Sequence, residues 1–76
     1  MIRKIDLEVR HYGLSVLIIL TDKSNDNISR ILKEYNLNDY KTNVDLYNTM
    51  LDDFDAEYDD DLSDMIEEIA KQLIGD

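Results

Sequence analysis

The side chains with the greatest capacity for chemistry are carboxylates, and they are concentrated in one block of the sequence. Seven of the ten residues from 52 to 61 are Asp or Glu, and the other three are Phe54, Ala56 and Tyr58. Grouping like charges destabilises a folded chain through self-repulsion. Three uses would justify that cost: binding a basic partner, binding a multivalent cation, or keeping the chain in solution.

Catalysis is not favoured by the residue types in this chain. Two carboxylates act as acid and base when their surroundings separate their pKa values, and a solvated acidic run does not provide such surroundings. The single histidine, His11, is expected in a surface turn, and the chain has no cysteine. Its two glycines, Gly13 and Gly75, form no phosphate-binding loop. The sequence therefore predicts a non-enzymatic protein without a cofactor.

Residues 53–64 superficially resemble the calcium-binding loop of an EF-hand. Acids stand at positions 1, 3, 5, 7, 9 and 12 of this twelve-residue segment. However, Tyr58 occupies the sixth position, where the sharp turn of that loop demands Gly, and Asp64 occupies the last, where Glu is usual. We therefore predict no specific metal site and only weak, nonspecific attraction of divalent cations.

Binding of a basic partner is the function that the block favours. If residues 53–61 are extended, alternate acids share one side at a spacing of about 6.6 Å, close to that of phosphates along a nucleic-acid strand. If they are helical, the surface is a charged rod. Tyr58 is a candidate anchor, although Phe54 and Tyr58 could equally be core residues beneath a solvated surface. The predicted partner-binding residues are Asp52, Asp53, Asp55, Glu57, Tyr58, Asp59, Asp60, Asp61 and Asp64.

The same segment resembles a family of small acidic inhibitors made by phages and mobile elements. The likeness lies in nine residues, Glu57-Tyr58-Asp59-Asp60-Asp61-Leu62-Ser63-Asp64-Met65. They are similar to the Glu-Tyr followed by acids near a terminal helix in an anti-CRISPR protein that blocks the PAM-reading site of a CRISPR nuclease. The resemblance implies a stoichiometric inhibitor without turnover, and a basic nucleic-acid-binding enzyme such as a CRISPR effector as partner. An antitoxin or immunity protein against a basic nuclease, and a self-associating structural module, are the alternatives.

The first third of the chain is typical of a β-hairpin. Residues 3–10 alternate apolar and charged side chains, which predicts a half-buried strand. A short loop at residues 11–13, with Gly in its last position, leads to the apolar segment 14–20. That second strand is apolar on both faces, so a helix, another strand or a second copy of the chain should cover it. A homodimer through residues 14–20 follows as one expectation.

In the rest of the chain, the apolar residues mostly follow helical spacing. It predicts helices near residues 26–36, 43–56 and 62–74, with Asp61, Ser63 or Asp64 capping the last of them. Residues 40–47 also alternate like a strand. The predicted fold is therefore α+β, an N-terminal antiparallel hairpin followed by two or three helices, in the order β-β-α-α-α or β-β-α-β-α.

Length and charge set the general class of the protein. Its 76 residues predict one domain, residues 1–76, with a small core. Residues 36–76 carry thirteen acids against Lys41 and Lys71, and the whole chain has a formal charge of −10. This charge argues against direct binding of nucleic acid or an anionic membrane. The alternating start lacks the apolar run of a signal peptide, so the expected location is the cytoplasm, that of the host cell for a phage protein.

Overall fold

The computed structural model describes residues 4–23 and 28–75. Its internal contacts divide the chain into two units, Met1–Tyr35 and Asn36–Asp76. The elements in chain order are the strands β1 (Ile5–Tyr12), β2 (Ser15–Asp22) and β3 (Ser29–Asn36), a short 3₁₀ helix (Leu37–Asp39), and the helices α1 (Asn43–Asp53) and α2 (Asp60–Leu73). The α+β class and the N-terminal hairpin are confirmed, whereas the predicted numbers of strands and helices are wrong.

The hairpin of β1 and β2 is antiparallel, with a register that runs from Ile5 opposite Asp22 to Tyr12 opposite Ser15. Only Gly13 and Leu14 form the loop, which is shorter than predicted. Gly13 has a φ of +67°, and glycine at the first position of a two-residue loop is the signature of a type II′ turn. The alternation of half-buried and exposed residues along β1 follows the pattern of its sequence.

Strand β2 is the middle strand of the three-stranded antiparallel sheet, in the order β1-β2-β3. Val16, Ile18 and Leu20 are buried on one face, while Leu17 and Ile19 on the other face are half-buried. Both edges of β2 are occupied by neighbouring strands, so a dimer through residues 14–20 would have to use a face of the sheet. That dimer stays a prediction.

Strand β3 replaces the first predicted helix. Residues 26 and 27 of that helix lie outside the described residues, but Ser29–Asn36 is a strand throughout its length. The helical spacing of Ile28, Ile31, Leu32 and Tyr35 led to the wrong element because local propensity is weak beside tertiary pairing. The apolar β2 needs a partner along its second edge, and only Tyr35 of β3 becomes buried in providing it.

Helix α1 confirms the helix predicted near residues 43–56, although it ends earlier, at Asp53. The strand alternative for residues 40–47 is wrong. Thr42 caps the start, because its Oγ1 accepts a hydrogen bond from the backbone N–H of Asp45 at 3.2 Å. Leu46 and Met50, one turn apart, provide the fully buried side chains of the helix.

Helix α2 confirms the helix predicted at residues 62–74, but it begins sooner. Its N-cap is Asp59 rather than one of the three residues predicted. Leu62, Ile66 and Ala70 form its buried face. The two helices contact each other, and Asn43 at the start of α1 donates a side-chain hydrogen bond to the carbonyl of Ile74 at the end of α2. Neither helix of the described chain has the length and apolar character needed to span a membrane.

Candidate binding surface at the α1–α2 connection

The acidic residues 52–64 span the end of α1, the connection to α2 and the first turn of α2, and we call this segment the acidic connection. It opens with a Schellman motif, the hydrogen-bonded reversal that ends many helices. The N–H of Ala56 donates to the carbonyl of Leu51 at 2.9 Å, and the N–H of Asp55 donates to that of Asp52 at 3.3 Å. Asp55 has the left-handed conformation that this motif requires, with a φ of +52°.

Two apolar side chains of the acidic connection are buried. Phe54 is 3% exposed and Ala56 is fully buried. Asp55, which lies between them, is exposed. The interpretation of Phe54 as a core residue is therefore confirmed, and alternate residues of this stretch point inward and outward.

The tip of the acidic connection is a tight turn. The N–H of Asp59 donates to the carbonyl of Ala56 at 3.1 Å, which makes Glu57 and Tyr58 the two central residues of a four-residue turn. Both side chains are exposed, and Tyr58 retains 93% of its accessible surface. Tyr58 is therefore a surface residue, in contrast to Phe54.

The acidic connection ends in a capped helix start. One carboxylate oxygen of Asp59 accepts from the N–H of Leu62 at 3.2 Å, and the Asp59 carbonyl accepts from the N–H of Ser63 at 2.8 Å. Asp60 and Asp61 follow in the first turn, where the partial positive charge of the helix N-terminus stabilises anions. Hydrogen bonds thus fix the end of α1, the turn at the tip and the start of α2.

The structure brings the predicted binding residues into one continuous segment, but in neither predicted shape. Because the segment comprises a helix end, two turns and a helix start, the extended ladder of carboxylates and the helical rod are both wrong. Two of the nine predicted residues, Asp53 and Asp59, are half-buried. The other seven are exposed: Asp52, Asp55, Glu57, Tyr58, Asp60, Asp61 and Asp64.

An acid beyond the predicted set extends this surface. Asp61, Asp64 and Glu68 are all exposed, and spacings of three and four residues place them on one face of α2. The signal was present in the sequence, because helical periodicity in residues 62–74 predicts that face. Glu67 is hydrogen-bonded: its carboxylate lies 3.0 Å from Lys71 Nζ. That hydrogen bond is the main cause that raises the pKa of Lys71, and the charge of Glu68 adds a smaller contribution.

The acids behind the EF-hand likeness lie in the acidic connection. In the described part of the chain, no three or more His, Cys, Asp or Glu side chains are grouped so that they could hold a metal ion. The backbone geometry gives a reason. The loop proper is only residues 54–59, and the carboxylate of Asp59 is engaged as a helix cap.

Two surface depressions lie outside the acidic connection. One, of about 240 Å³, is in the helix unit and is lined by Asn43, Val44, Tyr47, Asn48, Glu67 and Lys71. The other, of about 220 Å³, is on the sheet and is lined by Asp6, Glu8, Arg10, Ile19, Thr21 and Arg30. In the second, the hydrogen bond to Glu8 is the main cause that raises the pKa of Arg10.

No protein-family model matches this sequence, no curated protein gives a significant match, and no solved structure gives a significant match to the fold.

Proposed function

We propose that the protein is a non-enzymatic inhibitor that mimics the charge of DNA, of the anti-CRISPR or anti-restriction type. Its acidic connection would occupy the basic nucleic-acid-binding site of an enzyme such as a CRISPR effector. The observation that carries the proposal is Tyr58, which is 93% exposed on a hydrogen-bonded turn and flanked by carboxylates on both sides. Tyrosine is among the residues that most often dominate the binding energy of an interface.

The placement of two acids supports a role beyond folding. Asp55 has a left-handed conformation that Gly or Asn would adopt at lower cost. Asp52 lies in the last turn of α1, where the partial negative charge of the helix C-terminus repels a carboxylate. Position 52 does not favour an acid and position 55 favours Gly over Asp, so we infer that these carboxylates contribute negative charge toward a partner.

Other acids have a structural reason of their own. Asp59 caps α2, and Asp60 and Asp61 are stabilised by the helix N-terminus. These three do not discriminate between a binding surface and an ordinary helix start. The residues that best distinguish the two are Tyr58 and Glu57 at the tip of the turn.

The mechanism we propose is competition for the groove. A dense group of negative charges accelerates encounter with a basic surface, and this acceleration falls as salt screens the charges. The hydrogen bonds at both ends and at the tip of the acidic connection would reduce the entropy lost when it docks. Tyr58 would then contribute contact area and a hydrogen-bonding hydroxyl at the centre of the interface.

The proposal is tested with defined nucleases: a guide-loaded CRISPR nuclease and a restriction enzyme, each assayed for DNA cleavage against increasing amounts of the protein. Inhibition should reach completion at a stoichiometric ratio and should weaken when DNA is added before the protein. The triple variant Glu57→Lys, Asp61→Lys, Asp64→Lys should lose inhibition. Its matched control is the same change in net charge placed on other exposed acids: Asp6→Lys, Glu8→Lys and Asp39→Lys.

Tyr58 separates specific docking from general charge. Tyr58→Ala should weaken inhibition about tenfold or more, as expected for an interface anchor, without changing the net charge. Tyr58→Phe should retain most of the affinity, because it keeps the ring. Equal inhibition by the acidic triple variant and its control would refute the proposal. Inhibition of a nuclease that leaves its DNA binding intact would instead identify an antitoxin or immunity protein.

A further inference from the structure

Strand β3 lies at one edge of the sheet, and its exposure is unusual for a strand of its length. Within residues 4–23 and 28–75, no strand pairs with its outer edge. Seven of its eight residues are exposed, including Ile31 and Leu32, the latter with 53% of its surface accessible. An edge strand presents unpaired N–H and C=O groups that can pair with another strand. The chain contains no proline that could block such pairing.

The two faces of β3 can be assigned from its neighbours. Arg30 lines the same depression as Ile19 and Thr21, so it lies on that face of the sheet. Because side chains of a strand alternate, Leu32 and Glu34 share this face with Arg30. The resulting row has a cation, an apolar residue and an anion at successive positions on one side of an edge strand.

That row is complementary to itself when reversed. In an antiparallel pair of β3 strands with Leu32 opposite the second copy's Leu32, Arg30 stands opposite the second copy's Glu34. The same pair recurs by symmetry on the other side of the axis. Opposite charges directly across a strand pair stabilise it, and like charges destabilise it. A shift of two residues in either direction would remove both Arg–Glu pairs, and in one direction it would also place Lys33 opposite the second copy's Lys33.

We propose that the protein forms a symmetric dimer by antiparallel pairing of β3 with β3 of a second copy, centred on Leu32. The two sheets then form one six-stranded sheet, and the exposed edge is closed. In this pairing Ile31 stands opposite the second copy's Lys33, so the one lysine of the strand lies beside an apolar side chain and not beside another charge. The dimer does not depend on the proposed inhibitory function.

Charge exchange tests the register. Sedimentation equilibrium of the full chain should show a dimer. Arg30→Glu alone, or Glu34→Arg alone, should raise the dissociation constant about tenfold or more, because each places two pairs of like charges across the interface. The double variant Arg30→Glu, Glu34→Arg should restore the dimer. An equimolar mixture of the two single variants should also form it, because each variant then meets opposite charges on the other.

Cysteine cross-linking tests the position of the axis, and the chain has no native cysteine to interfere. Opposite residues of antiparallel strands have Cα atoms about 4.5–5.5 Å apart, within the range that a disulfide spans. Leu32→Cys should therefore oxidise to a covalent dimer. Lys33→Cys is the matched control: its Cα would lie about 8 Å from that of the second copy's residue 33, too far for a disulfide.

The outcomes are distinct. A dimer that responds to the charge exchange and cross-links at position 32 supports the proposal. A monomer at all accessible concentrations overturns it. A dimer insensitive to Arg30→Glu, or one that cross-links at position 33 instead of position 32, also overturns it, because the interface or its register is then different. Circular dichroism of each variant checks folding, and the substituted positions are exposed.

Discussion

Two acids from the same block should affect stability in opposite directions, because they lie at opposite ends of helices. Asp52 is in the last turn of α1, and Asp60 is the first residue of α2. Both are exposed, and Asn has nearly the same helix propensity as Asp. The variants Asp52→Asn and Asp60→Asn therefore remove one charge each and change little else.

The magnitude follows from the charges around each residue. A carboxylate at a helix C-terminus costs about 0.3–1 kcal/mol, and at an N-terminus it contributes a similar amount. Asp60 also has a like-charge neighbour one turn away, Asp64, whose repulsion costs about 0.2–0.5 kcal/mol. Asp52→Asn should thus stabilise the helices by about 0.3–1 kcal/mol. Asp60→Asn should destabilise them by a smaller amount, so the two variants should differ by about 1 kcal/mol.

Thermal unfolding of the helices, followed by far-ultraviolet circular dichroism, measures this difference. For a domain of this size, about 1 kcal/mol corresponds to about 4–8 °C in Tm. The measurement should be made at low salt and repeated at about 1 M salt, where the screening length falls to about 3 Å and the two Tm values should converge. Comparing two variants of equal charge cancels the general repulsion of the acidic block.

The competing account is that repulsion within the block dominates and the position in a helix is irrelevant. Under that account both variants are stabilised equally, and equal increases in Tm would refute the helix-end argument. A difference between the variants that persists unchanged at high salt would also refute it, because a screened electrostatic effect must shrink.

Four further perturbations probe the helix unit. Asp59→Ala should cost about 1 kcal/mol by thermal unfolding through loss of the cap on α2, and Asp59→Ser should retain most of it. Phe54→Ala should cost about 3–5 kcal/mol in denaturant titrations, a large part of the about 4–11 kcal/mol expected for a chain of this size. Asp55→Gly should stabilise by up to about 1 kcal/mol in the same titrations, because Gly adopts the left-handed conformation freely. The hydrogen bond to Glu67 raises the pKa of Lys71 above 10.5, so its stabilisation is complete below that pH and is lost as the pH rises through the higher folded value. Lys71→Gln should therefore have a lower Tm than the wild type near neutral pH, and the two should converge at strongly alkaline pH.

The elements that sequence reasoning predicted correctly are those whose pattern and tertiary environment agree. The alternation of β1 and the broad apolar stripe of α2 each indicate one element, and each forms it. The helix prediction for residues 29–36 was wrong. Their apolar spacing fits a helix, but the second edge of β2 requires a neighbouring strand. No local signal reports that requirement, since it arises from a segment elsewhere in the chain.

The acidic connection was predicted in position but not in shape. The acidic composition of residues 52–61 indicated where the acidic connection lies, but its conformation depends on the residue at which α1 ends. That point is set by Asp55 in the left-handed region, and a carboxylate gives a much weaker stop signal than the glycine usual there. Because Asp rather than Gly occupies position 55, the sequence gives no clear turn signal there, and a charge lies at the surface.

The two aromatic residues of this segment differ in exposure, although nothing in the sequence pattern separates them. Phe54 and Tyr58 are four residues apart, a spacing that in a continuous helix would place both on one face. The Schellman motif interrupts the helix between them, so Phe54 enters the core while Tyr58 projects from the turn. Truncating Phe54 should therefore reduce stability, whereas truncating Tyr58 should leave stability unchanged. Under the proposed function, truncating Tyr58 should instead reduce affinity for the partner.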